Sequence, residues 1–218
     1  MTEKPARGLV VIPAYNEAAN VAAVVRGVRA VLPEADIVVV DDCSSDDTSA
    51  QARAAGATVL RLPINLGDGA ARQTGFKYAR EGGYDWVVQL DGDGQHCPES
   101  ISHLLRPILD GEADLVIGSR FLAEAGYRVQ WERRLGQVIF AQIASWATSQ
   151  RITDPTSGFR AMNRAVVTFF CTPVYPPQYP DADVLITANY AGFRLREVPV
   201  RMQQNTTGQT IHAGLKPL

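Results

Sequence analysis

Residues 9–48 read LVVIPAYNEAANVAAVVRGVRAVLPEADIVVVDDCSSDDT, and this stretch decides the fold. Leu9-Val10-Val11-Ile12 is an apolar run stopped by Pro13, as expected of a strand buried on both faces. Val21, Val24, Val25, Val28 and Leu32 then recur at helical spacing, with Asn16 or Asn20 available as a cap and Pro33 just past the end. Ile37 to Val40 is a second strand, entirely β-branched, and it runs into the polar stretch Asp41 to Thr48. That stretch has loop and helix-capping chemistry, with Asp46 or Asp47 the natural caps. Strand, helix and buried strand in so short a span predict a βαβ unit and therefore a parallel pair.

Outward from there the alternation continues. Thr58 to Leu62 and Trp86 to Leu90 read as strands and Ala70 to Arg80 as a helix, followed by a helix over Glu99 to Leu109 and a strand over Asp114 to Gly118. This pattern predicts an α/β domain with a Rossmann-like, mostly parallel sheet flanked by helices, whose ligand lies beyond the carboxyl ends of the strands. After Arg120 the pattern changes. Leu135 to Thr148 reads as a mainly apolar helix, Ala165 to Phe170 as a short apolar segment, and Thr172 to Pro180 as a loop with four prolines. Asp183 to Tyr190 returns to helix and Leu195 to Val200 to strand. The expected organisation is one domain over residues 1–203, split into 9–120 and 121–203, with 204–218 a tail without periodicity.

A chain of 218 residues that is 46% hydrophobic and 20% charged suits one globular core and not a disordered segment. Its formal charge of -2 gives no electrostatic reason to expect nucleic acid as a partner. Cys43, Cys97 and Cys171 are too scattered for a disulfide framework or a cysteine zinc site. No signal-like segment opens the sequence and no run is long enough to span a bilayer, so the expected location is cytoplasmic, with peripheral contact on the cytoplasmic membrane face. Asn205-Thr206-Thr207 fits a glycosylation sequon that such a protein would not use.

Asp91-Gly92-Asp93 stands at the end of the strand over Trp86 to Leu90. Two carboxylates two residues apart, beside glycines that permit unusual backbone angles, can share one hard divalent cation such as Mg²⁺ or Mn²⁺. The same residues also suit a polar turn that only reverses the chain. Asp42, at the end of the second strand, is placed to accept hydrogen bonds from a base or ribose. Gly67-Asp68-Gly69-Ala70-Ala71 puts small residues at a helix start, where free N–H groups favour a phosphate. No Walker ending and no GxGxxG follow, which argues against nucleotide hydrolysis and dinucleotide binding. His96, His103 and His212 form no recognisable ligand set.

Four motifs in order carry a family resemblance: Val11-Ile12-Pro13-Ala14-Tyr15-Asn16-Glu17, Val40 to Thr48, Asn65-Leu66-Gly67-Asp68-Gly69-Ala70, and Leu90-Asp91-Gly92-Asp93-Gly94-Gln95-His96. Gly118-Ser119-Arg120-Phe121 and Asp154-Pro155-Thr156-Ser157-Gly158-Phe159-Arg160 add to them. Over about residues 9 to 208 the chain resembles a family 2 glycosyltransferase of the dolichol-phosphate mannosyltransferase, or polyprenyl-phosphate glycosyltransferase, type. The resemblance implies a GT-A fold, with a nucleotide-sugar half over 9–120 and an acceptor half over 121–203. It implies that Pro13, Tyr15, Glu17 and Asp42, with Gly67 and Asp68 nearby, hold the nucleotide, and that Asp91, Asp93 and Gln95 surround Mg²⁺ or Mn²⁺. Arg120, Arg133, Arg134 and Ser157 would meet the acceptor phosphate, for which guanidinium forks are suited. Cys97 stands where the family usually continues with an acid, and Asn205 where it usually has arginine, a loss that Arg201 would have to cover.

The expected reaction is an inverting transfer of a hexose from GDP-mannose or UDP-glucose to a polyprenyl phosphate, dolichyl or undecaprenyl, in building the cell envelope. Asp91, Asp93 and Arg120 would carry it. A hydroxyl acceptor would also need a base, with Asp181 or Asp183 as candidates. The apolar helix carrying Val138, Ile139, Phe140 and Ile143, with Trp146, is either core or a membrane-contacting face, the contact being direct or through a membrane partner protein. Two other readings stand beside this one: transfer to a soluble sugar or polysaccharide, and a nucleotide-sugar-binding protein without turnover.

Overall fold

The computed structural model describes residues 6–122 and 131–203, the latter as backbone alone up to residue 138. The elements run β1 (Gly8–Ala14), α1 (Val21–Val31), β2 (Asp36–Asp41), α2 (Thr48–Ala54), β3 (Thr58–Arg61), α3 (Asp68–Glu81), β4 (Trp86–Gln89), α4 (Ile101–Leu109), β5 (Leu115–Ser119), α5 (Trp131–Thr148), β6 (Arg160–Asn163), α6 (Arg164–Phe170), α7 (Ala182–Tyr190) and β7 (Leu195–Pro199). A 3₁₀ turn, Pro98–Ser100, leads into α4. One domain results, a seven-stranded sheet in the order β3-β2-β1-β4-β6-β5-β7.

The period-two alternation of strand side chains assigns the two faces. Val10 and Ile12 of β1, with Ile37 and Val39 of β2, pack against Val24 and Val28 of α1 and Ile101 and Leu104 of α4. Leu9, Val11, Val38 and Val40 point the other way, onto Phe76 of α3, Phe170 of α6 and Leu185 of α7. Helices cover both faces, which is why these strands are apolar throughout.

β1 pairs parallel with β2 on one side and β4 on the other. The chain winds outward in opposite directions from β1, so a crevice opens at the carboxyl ends of β1 and β4. β6 carries no strand signal of its own in the sequence. It runs antiparallel between β4 and β5, matching Gln89 with Arg160 and Ile117 with Arg160. Arg160-Ala161-Met162-Asn163 has neither an apolar run nor clean alternation, and its partners are far away in sequence. Ala165 to Phe170 lies within helix α6, capped by the Asn163 side chain accepting from the Val166 N–H at 3.0 Å. At α1 neither Asn16 nor Asn20 caps through its side chain; Asn20 occupies the cap position but donates to Glu17 Oε2 at 2.8 Å.

Candidate active site

A cleft of about 300 Å³ opens at the crevice, lined by Pro13, Tyr15 and Glu17 after β1, Asp42 after β2, Gly67 and Asp68 at the start of α3, Asp91 and Asp93 after β4, and Gln178 and Tyr179 from the proline-rich loop. Six predicted nucleotide residues and both predicted metal carboxylates therefore come together. The loops after β1 and β2 are tied to each other. The Asn16 N–H donates to Ser44 Oγ at 2.9 Å, the Ser45 N–H donates to Asn16 Oδ1 at 2.8 Å, and the Glu17 N–H donates to Thr48 Oγ1 at 2.8 Å. Asp47 occupies the cap position of α2 without a side-chain cap bond, while Asp46 accepts from the Thr48 N–H at 3.0 Å and from the Ala18 N–H at 3.1 Å.

Asp41 and Asp42 divide the work at the end of β2. Asp41 is wholly buried and accepts from the Ser44 N–H at 2.8 Å and from the Ser49 hydroxyl, so its role is to shape the loop. Asp42 lines the cleft while accepting from the Leu66 and Gly67 amides at 2.7 and 2.8 Å. Each of its oxygens keeps a second lone pair for a ligand. Gly67 has φ of 93°, a backbone conformation that glycine adopts without steric cost. The helix start that follows is partly covered by the proline-rich loop. Pro177 O accepts from the Ala70 N–H at 2.9 Å, and a Cβ on Gly69 would meet Pro176 O at 2.4 Å.

On the cleft floor, Asp91 accepts from Arg72 Nη2 at 3.1 Å and contacts His96 Nε2 at 3.2 Å. Arg72 is buried and also donates to Asp68 at 2.8 Å, one helical turn earlier. Burial works against the Asp91 charge, but Arg72 and then His96 outweigh it and hold the carboxyl well below the usual carboxylate range. Asp93 accepts from the Gln95 N–H at 3.0 Å, and burial, reinforced by the neighbouring Asp91 charge, pushes its carboxyl upward. Burial, partly offset by the Asn20 hydrogen bond and reinforced by Asp93, raises Glu17 as well. Among the described residues no three His, Cys, Asp or Glu side chains converge on a point. Two carboxylates with ligand oxygens completing the shell is nevertheless how Mg²⁺ is usually held at diphosphates, so the donor set fits such a cation.

The predicted acceptor residues are more dispersed. Arg120 binds buried Asp154 through Nε at 2.7 Å and Nη2 at 2.6 Å, and Nη2 also donates to Thr156 at 2.9 Å. Ser157 is buried and its Oγ accepts from the Phe159 N–H at 3.3 Å. Asp183 is exposed in the first turn of α7, does not line the cleft, and accepts from the Val184 N–H at 2.9 Å. Arg133, Arg134 and Asn205 lie outside the described side chains. Arg201 is exposed and its carbonyl faces the Cys97 N–H at 3.4 Å, while Gln203 N–H donates to Gln95 O at 2.7 Å, so this segment runs beside the aspartate turn. Arg72, Gln178 and Tyr179 belong to none of the motifs named above. The spacing of Asp68 and Arg72 on one helix face was the available signal for the first; the other two depend on how a distant loop folds back.

The chain matches the model of the family described as Glycosyl transferase family 2 over residues 9–169. It is 33% identical to the undecaprenyl-phosphate mannosyltransferase of Micrococcus luteus, over 95% of this chain and 88% of that one. It is also 33% identical to the polyprenol monophosphomannose synthase of Mycolicibacterium smegmatis, over 95% and 82%. Among solved structures it resembles Mycobacterium tuberculosis glucosyl-3-phosphoglycerate synthase in complex with Mn²⁺, uridine diphosphate and glucosyl-3-phosphoglycerate. That likeness has a TM-score of 0.71 at 24% identity, over 92% of this chain and 73% of the other, and shows a shared GT-A fold. With a family match across most of its length and two relatives aligned nearly end to end, this chain belongs to glycosyl transferase family 2.

Proposed function

We propose that the protein transfers a hexose from a nucleotide-sugar, GDP-mannose or UDP-glucose, to a polyprenyl phosphate with inversion at the anomeric carbon. The observation that carries this reading is the cleft itself, where Pro13, Tyr15, Glu17 and Asp42 face Asp91 and Asp93 across a space suited to a nucleoside diphosphate. The names of the two relatives support the lipid phosphate as acceptor and mannose as the first sugar to test.

Asp91 and Asp93, with Gln95, would hold Mg²⁺ or Mn²⁺. Such a cation would neutralise the departing diphosphate. Tyr15, Glu17 and Asp42 orient the nucleoside, and Arg72 keeps Asp91 ionised and fixed. An oxygen of the acceptor phosphate forms the new bond to the anomeric carbon as the bond to the nucleoside diphosphate breaks, and the electron pair leaves with the diphosphate. A phosphate monoester is already largely ionised near neutrality, its second pKa being about 6, so no general base is needed and Asp183 can stay outside the cleft. Residues 9–120 form the donor half and residues 121–203 the acceptor half, with Arg120 and Ser157 shaping the turn that faces the acceptor.

No helix among the described residues is long and apolar enough to cross a membrane. Helix α5 instead presents Ile139, Phe140, Ile143 and Trp146 to the outside, with Trp146 86% exposed. A stripe at this spacing, ending in an aromatic, suits peripheral contact with the bilayer that holds the acceptor lipid. The test is a panel of both sugar nucleotides with polyprenyl phosphate and Mn²⁺ or Mg²⁺, following sugar into the lipid phase, with and without chelator. Lipid-linked sugar from at least one donor, lost on chelation, is expected. Folded protein that labels no lipid, or only soluble sugars, would overturn the reading. Sedimentation with phospholipid vesicles, reduced in Trp146→Ser, checks the membrane contact.

A further inference from the structure

Arg160 stands at the start of β6 and is 1% exposed. It donates to four backbone carbonyls: Ser157 O at 2.8 Å, Pro155 O at 3.1 Å, Pro180 O at 3.1 Å and Asp181 O at 3.4 Å. None of these hydrogen-bond partners is a carboxylate. The guanidinium hydrogen-bonds only to carbonyls, with the Asp181 and Asp183 carboxylates favouring its charge from farther off. Burying such a charge is costly, and an apolar side chain would fill the space more cheaply if filling were all that was required.

The two segments that Arg160 joins reach the cleft in different ways, the first by packing behind Asp91 and the second by leading out of lining residues. The turn carrying Pro155 and Ser157 continues into Gly158, where a Cβ would meet Asp91 Oδ2 at 2.7 Å and Arg72 Nη1 at 3.2 Å. The Gly158 carbonyl also accepts from Gln89 Nε2 of β4 at 2.7 Å, which seats the turn on the strand that delivers the aspartates. Pro180 and Asp181 directly follow Gln178 and Tyr179, which line the cleft. A rigid guanidinium fork can reach both segments at once, whereas an ammonium is a single point with rotating donors.

We propose that Arg160 is a positioning residue for transfer, setting the distance between the Asp91 floor and the Gln178–Tyr179 wall, where donor sugar and acceptor must meet. This rests on the transferase reading above. Arg160 makes no hydrogen bond to the nucleoside wall of Pro13, Tyr15, Glu17 and Asp42, so its replacement should fall on transfer more than on nucleotide affinity.

The experiment compares wild type, Arg160→Lys and Arg160→Met for nucleoside diphosphate affinity, for kcat of transfer, and for the ratio of donor hydrolysis by water to transfer. Nucleotide affinity should stay within about twofold, transfer kcat should fall about 100-fold in the Met variant, and the Lys variant should recover part of it. The hydrolysis ratio should rise in both variants. Unchanged kcat and ratio, or a loss of nucleotide affinity matching the loss of transfer, overturns the proposal. Should only the Met variant fail to fold, Arg160→Lys decides by the same split; failure of both means the residue serves the fold, which also overturns it. Wild-type protein that binds nucleotide but transfers to no acceptor sinks the transferase reading, a failure visible before any variant is made.

Discussion

In residues 9–120 most cleft-lining groups sit just beyond strand ends, and hydrogen bonds within their own turn or to the next loop or helix start hold them: Glu17 by Thr48, Asp42 by Leu66 and Gly67, Asp93 by Gln95. In residues 154–183 the anchors reach across the chain. Glu197 of β7 accepts from the Thr153 N–H at 2.8 Å and the Asp154 N–H at 2.8 Å, Arg120 grips Asp154, and Arg160 gathers carbonyls from two separate segments. The first region is positioned by the sheet. The second is positioned by ionic side chains, Asp154 and Arg160 buried and Arg120 and Glu197 half-buried, and a single substitution there can displace several residues together.

The sharpest way to break this contrast is at its strand-end member with the fewest supports. Asp93→Ala should lower kcat/KM for transfer by about 10³-fold while leaving Tm nearly unchanged, because the side chain contributes one hydrogen bond to the fold. Loss of less than tenfold in folded protein would mean that the strand end does not carry the chemistry. Gly158→Ala tests the seam between the regions, since its Cβ would press on the Asp91 carboxylate. About 100-fold loss of kcat with about 1–3 kcal/mol of destabilisation by denaturant is expected; wild-type activity would show that the turn yields without consequence.

How much of this was legible beforehand follows the same division. β1, β2 and β4, and with the last two Asp42, Asp91 and Asp93, stand out because apolar runs ending in polar residues are local signals. Pro13, Tyr15 and Glu17 are marked as site residues only by the family resemblance. β6 does not stand out, because Arg160 to Asn163 becomes a strand only through pairing with β4 and β5. The burial of Ser157 and the use of Arg120 as an anchor for Asp154 were equally hidden, since they depend on residues some 34 positions apart meeting in space. The position of Asp183 outside the cleft came from the same source: its loop folds back through four prolines, and periodicity says nothing about where such a loop returns.

The smallest effect belongs at the opposite end of the sheet, where Asp114 accepts from Arg194 Nε at 3.0 Å, the Arg194 N–H at 2.9 Å and Asn163 Nδ2 at 2.9 Å. The Arg194 hydrogen bond holds the Asp114 carboxyl below its ordinary value. A depressed folded-state pKa contributes stability that is complete above the usual aspartate range, near pH 4, and is lost as pH falls through the folded value. Asp114→Asn should leave transfer kinetics unchanged and lower Tm slightly at neutral pH, with the gap to wild type closing in acid. A constant gap down to the acid limit, or an altered kcat, would show this end coupled to the cleft.

The hydrogen bond from the Ala70 amide to Pro177 O bears on how this protein can be recombined with its relatives. A chimera joined near residue 120 would inherit the helix start from one parent and the loop that covers it from the other. Gly69, which has no room for a Cβ beneath Pro176 and Pro177, makes that match steric as well as polar. Exchanging the part of the chain after residue 120 therefore means carrying residues 67–70 with the incoming loop as one unit, even though they lie more than a hundred positions apart in the sequence.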